Sequence, residues 1–199
     1  ALADRLEGGG FGPGRRGQAR RRRTLPDYTA ADLELLVCGL NPSLYAADAT
    51  VGFGRPGNRF WPAALAAGLV SRDRDPRHAL TVHRLGMTDL VKRATARADL
   101  LAPEEYERGM ARVERLAAGL APGAVCFVGL AGWRAAVERR ARPGVQTRRI
   151  GGAPVYLMPS TSGLNAHARL DALAAHLAAA AALGRPATAL SPARGGRGR

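Results

Sequence analysis

Three features of the sequence predict an α/β fold with a short, largely parallel sheet covered on both faces. Short apolar runs recur at Leu35-Leu36-Val37-Cys38, within residues 83–91, at Ala124-Val125-Cys126-Phe127-Val128 and at Val155-Tyr156-Leu157-Met158. Each reads as a buried strand. Stretches with apolar residues at helical spacing separate them, so strands alternate with helices. The runs are apolar along their whole length, as parallel strands buried on both faces are.

The elements follow in order. Residues 1–30 are rich in Gly and Arg and include Pro13 and Pro26, a composition that predicts a flexible basic arm. The first strand stops at Gly39-Leu40-Asn41-Pro42-Ser43. Pro42 cannot donate to a ladder and turns Asn41 away from helical geometry, so Asn41 belongs at the strand's carboxyl end. In open α/β sheets that edge is where ligands bind. A loop with Gly52-Phe53-Gly54 follows, and the spacing then predicts a helix over 58–69. Residues 71–79 read as a loop or short helix, and 83–91 as the second strand and its exit. Pro103-Glu104-Glu105 opens a helix to about residue 120, with Pro early and acids at the positive end. The third strand turns through Gly129-Leu130-Ala131-Gly132 into a helix over 133–140. It lacks both G-x-G-x-x-G and a Walker lysine, so a structural turn is the better reading than a phosphate loop. Residues 142–152 form a basic, Gly-rich connection with room for one strand. The last strand leads to a closing helix over 167–183, and 184–199 is predicted to be a flexible basic C-terminal tail.

Composition narrows the function classes. The chain has 199 residues, enough for one α/β domain, here 31–183 between the two tails. The formal charge is +14, from 30 basic and 16 acidic residues, and Lys92 is the only lysine. Residues 1–30 carry seven arginines against three acids, and 184–199 four arginines and no acid. The two segments thus hold +8 of the charge. Arginine suits bidentate phosphate contact, and a basic chain attracts nucleic acid. No apolar stretch reaches the ~18 residues of a spanning helix, so no membrane is expected. No charged start followed by an apolar core marks a secretory signal, and a cytoplasmic location is expected, with the nucleoid if the source is bacterial. Cys38 and Cys126 sit in strand runs and read as small buried hydrophobes. There is no C-x-x-C pair for an iron–sulfur cluster, and the four histidines show no compact ligand spacing. No metal and no organic cofactor are expected.

The motifs are more specific. Gly39-Leu40-Asn41-Pro42-Ser43, followed by Gly52-Phe53-Gly54-Arg55-Pro56-Gly57-Asn58-Arg59-Phe60-Trp61, resembles the first motif and following loop of the mismatch-specific uracil-DNA glycosylases. These form the MUG/TDG branch of the uracil-DNA glycosylase superfamily. Met158-Pro159-Ser160-Thr161-Ser162-Gly163-Leu164-Asn165 resembles the branch's second motif. The likeness spans about 33–177, weakly in the middle, and implies a three-layer α/β/α sandwich. Two departures stand out. Ser43 replaces the branch's Gly in the pocket wall, and Thr161-Ser162 falls between the bacterial and the thymine-processing patterns.

The resemblance implies roles residue by residue. Asn41 matches the catalytic asparagine that positions water; by itself it could equally cap a turn. Phe53 matches the base-stacking phenylalanine, and Gly39 and Ser43 would line the base site with it. Gly163, Leu164 and Asn165 match the wedge that fills the vacated stack and reads the orphaned guanine. Ser160 and Arg59 are placed for DNA, although Arg59 and Asn58 could equally fix the loop and helix start. No acid is required by the motif, but a carboxylate near the water would help it. Asp89, at the exit of the second strand, is the candidate beside a reading as a simple cap; Asp48 is its rival. The expected function is that of a monofunctional, monomeric enzyme. It flips uracil from G:U mispairs in double-stranded DNA, excises it hydrolytically and leaves an abasic site. The alternatives are a non-catalytic basic DNA-binding protein and a nucleotide-binding α/β enzyme.

Overall fold

In the computed structural model, which describes residues 2–15, 17–165 and 168–184, the apolar runs form the middle of the molecule. The elements in order are α1 (Leu2–Gly8), β1 (Phe11–Pro13), β2 (Ala19–Arg21), β3 (Leu35–Gly39), α2 (Leu44–Ala49), α3 (Phe60–Ala66), α4 (Pro76–His83), β4 (Leu85–Asp89), a 3₁₀ turn (Ala98–Leu100), α5 (Pro103–Leu120), β5 (Ala124–Val128), α6 (Ala131–Ala136), β6 (Gly144–Ile150), β7 (Ala153–Met158) and α7 (Leu170–Gly184). The main sheet has the order β4-β3-β5-β7-β6. Its first four strands are parallel, and β6 is antiparallel at one edge. This is the α/β sandwich expected.

Side chains of each strand alternate between two cores. Leu35 and Val37 face Phe60, Trp61, Leu173 and Leu177, beneath α3 and α7. Leu36 and Cys38 face Met110, Val113 and Trp133, beneath α5 and α6. Both faces of the sheet are thereby covered. The chain leaves β3 for β4 on one side and returns to β5 on the other, so the order reverses at β3. A crevice opens at such a switch point, outside the carboxyl end of the strand. Asn41 stands there.

The expected flexible arm differs from the structure. Residues 2–30 hold a helix and a two-stranded hairpin. Tyr28 exchanges backbone hydrogen bonds with Met87 and so covers the β4 edge of the sheet. Asp27, from the same segment, is buried between Lys92 and Arg112, with 2.8 Å to each. Arginine content suggested solvation, but one carboxylate and one tyrosine tie the segment to the body. Other boundaries moved less. A helix, α2, occupies the expected loop after Asn41, because Ser43 caps it through Ala46 N at 3.1 Å. The helix after residue 58 stops at Ala66, and α6 stops at Ala136. His167 and the predicted C-terminal tail beyond Gly184 lie outside the described residues. No helix among the described residues is long and apolar enough to cross a membrane.

Candidate active site

The site is built from three loops that leave the carboxyl edge of the sheet. The loop after β3 carries Asn41. Its side-chain nitrogen Nδ2 donates to Thr95 Oγ1 at 2.7 Å, to the Arg93 carbonyl at 3.1 Å and to the Pro42 carbonyl at 3.3 Å. Carbonyl oxygens only accept, so the amine end of the amide must face them. Thr95 Oγ1 donates in turn to the Arg97 carbonyl at 2.8 Å, and the Thr95 backbone N–H donates to the Pro42 carbonyl at 3.1 Å. Asn41 is therefore held with Oδ1 turned away from the protein partners, as an acceptor. Thr95 was not singled out in the sequence; one threonine in a basic loop carries no signal until β4 brings its exit beside β3.

Phe53 lies between two glycines with φ of 57°, a left-handed conformation uncommon for a phenylalanine. Its ring stacks on Phe60 at 4.3 Å between centroids and 21° between planes. Three residues of the Asn-Arg-Phe-Trp segment support this arrangement. Asn58 Oδ1 accepts from Phe60 N at 2.9 Å and starts α3. Phe60 lies against Phe53, and Trp61 Nε1 donates to the Gly52 carbonyl at 2.8 Å, which holds the loop.

Gly39 explains itself by close approach. A Cβ there would lie 2.5 Å from Asp89 Oδ1 and 3.3 Å from the Phe53 ring, so only glycine leaves room for both. Asp89 is the register partner of Gly39 on the neighbouring strand. Its carboxyl group is buried, and Oδ2 has no hydrogen-bond partner. Burial pushes its pKa up to about 6, with Asp27 adding to the rise while Lys92 and Arg112 oppose it. The rival acid, Asp48, is on the surface in a salt bridge with Arg23. Ser43 uses its hydroxyl oxygen to cap α2.

The third loop follows β7. Leu164 is 92% exposed at its tip. The Ser160 hydroxyl accepts from Ser162 N at 3.3 Å, and Asn165 Nδ2 donates to the Ser160 carbonyl at 2.9 Å. Gly163 passes so close to the 52–58 loop that a Cβ would stand 2.9 Å from the Gly57 carbonyl oxygen. Arg59 turns toward the protein. Its backbone N–H donates to the Thr161 carbonyl at 2.9 Å, and its guanidinium donates to the carbonyls of Ser162, Asn165 and Ala168. It braces the Leu164 loop from behind through its two terminal nitrogens, while Nε is buried without a partner.

The structure thus brings together Asn41, Gly39, Phe53 and Asp89, with Leu164 on the β7 side. A cleft of about 670 Å³ lies apart from these side chains, between the N-terminal segment, the exit of β4 and α5. Among the described residues no cluster of His, Cys, Asp and Glu could hold a metal ion.

Comparison with known proteins agrees with the architecture. A solution NMR structure from Methanosarcina acetivorans, described as a candidate uracil DNA glycosylase, superposes with a TM-score of 0.54 at 21% identity, covering 82% of this chain and 98% of that one. This likeness speaks to the fold. The sequence model of the uracil DNA glycosylase superfamily matches residues 26–184, from the segment that carries Asp27 through α7. Because that match takes in the whole sheet and all three loops of the site, the chain belongs to the uracil DNA glycosylase superfamily.

Proposed function

We propose that the protein is a monofunctional, mismatch-specific DNA glycosylase of the MUG/TDG type, which flips uracil out of G:U mispairs and releases it with water. Membership of the superfamily supports uracil excision from DNA. The observation that carries the finer reading is the orientation of Asn41. Its amine end is held by Thr95 and Arg93, which leaves Oδ1 to accept a hydrogen bond from a water and aim it.

Bond breaking at the glycosidic carbon places positive charge on the sugar and negative charge on the departing base. A fixed dipole costs no reorganisation at that moment. Phe60 covers one face of Phe53, and the other face is the one to stack on a flipped base. Asp89, beside that ring and one strand from Asn41, is the carboxyl group closest to this arrangement along the sheet edge. Its orphaned oxygen gives it a hydrogen bond to offer. Leu164, exposed on a braced loop, fills the space the base vacates. Lys92, the chain's only lysine, is buried and ion-paired with Asp27. An ammonium so held makes no Schiff base with the sugar, which favours hydrolysis without strand cleavage.

The test is single-turnover excision from labelled duplexes carrying G:U, A:U or G:T, and from single-stranded uracil DNA, each read after alkali. The expected result is rapid excision from G:U, slower excision from A:U and no strand break before alkali. Equal rates on all uracil substrates would remove mismatch specificity; binding without abasic sites would leave the non-catalytic DNA-binding reading.

A further inference from the structure

Part of the N-terminal segment lies outside the family match and has no place in the site described above. The hairpin pairs Phe11 with Arg21 and Gly12 with Arg20, and Arg22 N closes it on the Gly10 carbonyl at 2.8 Å. It is pinned at two points, both in segments that leave the carboxyl edge of the sheet. Arg23 bridges Asp48 in α2, the helix that follows Asn41. Thr24 Oγ1 donates to the Lys92 carbonyl, and Lys92 Nζ donates to the Leu25 carbonyl, at the exit of β4. A hairpin held from both sides keeps its backbone in place beside the carboxyl edge.

Those side chains are cationic and mostly unneutralised. Arg23, Arg93, Arg97 and Arg115 each pair with a carboxylate. Arg20, Arg21 and Arg22 are exposed, and among the described residues no carboxylate pairs with them. Arg22 also lines the cleft of about 670 Å³ together with Arg93 and Arg108, and with the carboxylates of Asp4 and Glu7 on α1 and Glu105 on α5. Arg93 belongs to the loop that orients Asn41. The sheet order places this surface on the β4 side of β3 and the Leu164 loop on the β7 side. Asn41 stands between them.

We propose that Arg20, Arg21 and Arg22 form a second DNA grip, binding phosphates of the duplex on the flank of the lesion opposite Leu164. The proposal rests on the glycosylase reading, because it takes the duplex across Asn41. Guanidinium groups on a rigid ribbon suit successive backbone phosphates, which position a duplex without reading its sequence. An isolated anion would need one pocket; three exposed arginines in a row need a polyanion.

The experiment measures binding of an undamaged labelled duplex by fluorescence anisotropy against salt. The full chain is compared with Arg20→Ala/Arg21→Ala/Arg22→Ala and with Arg84→Ala/Arg148→Ala/Arg149→Ala. The second variant loses the same charge at the opposite, amino edge. The hairpin variant should flatten the slope of log affinity against log salt by roughly two to three units, about 0.9 per lost phosphate contact. The amino-edge variant should keep the parental slope, and Arg20→Lys/Arg21→Lys/Arg22→Lys should retain most of it. A parental slope in the hairpin variant, or the same loss in both variants, would overturn the proposal. The readout needs no excision, so an inactive parent with a hairpin-specific slope would count against the glycosylase reading and not against the grip.

Discussion

A side-chain amide at a strand end points nowhere in particular until something takes its amine. In this protein Thr95 and the Arg93 carbonyl do so, and Asn41 becomes a fixed acceptor. Asn41→Ala is expected to slow single-turnover excision about 10²- to 10⁴-fold with abasic-DNA binding retained; a folded variant with near-parental rates would end the water-positioning role. Thr95→Val keeps the shape but removes the acceptor, and should cost excision about fivefold, the worth of one hydrogen bond. Asp89 makes a prediction about stability. Its folded pKa of about 6 stands above the ordinary 3.8, so the unfolded chain releases this proton first. Between about pH 4 and pH 6 the group therefore subtracts stability as pH rises. Asp89→Asn should be more stable than the parent at pH 7 by on the order of 2 kcal/mol, with the difference vanishing toward pH 4 in urea melts. A gain that ignores pH would show that the carboxyl does not titrate there. If the same variant loses excision, the site keeps a costly buried acid for its chemistry.

At the scale of elements, the segment from Asn58 to Trp61 acts as a joint between two loops. Asn58 starts α3, Phe60 and Trp61 hold the Phe53 loop, and Arg59 reaches the other way to the loop after β7. One turn of helix thereby sets the spacing between the Phe53 ring and the exposed leucine. Leu164→Ala should slow excision from duplex G:U more than from single strands, because only the duplex has a stack to fill. Arg59→Lys loses the planar fork and should show the same duplex-selective loss. Arg59 acts through the Leu164 loop, so the double variant should be little worse than the poorer single one. Additive losses would give Arg59 a separate contact with DNA.

At the scale of the whole molecule, the N-terminal segment is joined to the body by charge. Asp27 accepts from Lys92, Arg112 and Thr88, and the two cations hold its carboxyl below its ordinary value despite burial. That stability is present above the unfolded value near 3.8 and is lost as pH falls through the folded one. Asp27→Asn takes from two buried cations the carboxylate they are ion-paired with and should destabilise by about 3–5 kcal/mol, read from urea midpoints at pH 7. Removing residues 1–30 should do at least as much, since it also strips Tyr28 from the sheet edge. A truncated chain as stable as the full one would return the segment to the status of a loose arm.

The alternation of fully apolar runs with helical spacing was enough to read the α/β sheet, because burial on both faces leaves a local mark on composition. The place of Asn41 was legible for a similar reason: an Asn-Pro pair straight after an apolar run and a glycine marks a strand end locally. The glycines at 39 and 163 stood within recognisable motifs, but the atoms they make room for, Asp89 Oδ1 and the Gly57 carbonyl, belong to distant parts of the chain. The role of Thr95, the direction in which Arg59 points and the docking of residues 2–30 left no local mark. Each depends on hydrogen bonds or ion pairs across large sequence separations, such as the 65 positions between Asp27 and Lys92. A run of arginines looks the same in sequence whether it is solvated or pinned. One buried carboxylate, facing cations from a strand exit and a helix, makes the difference, because a charge that folding has buried must keep its partners.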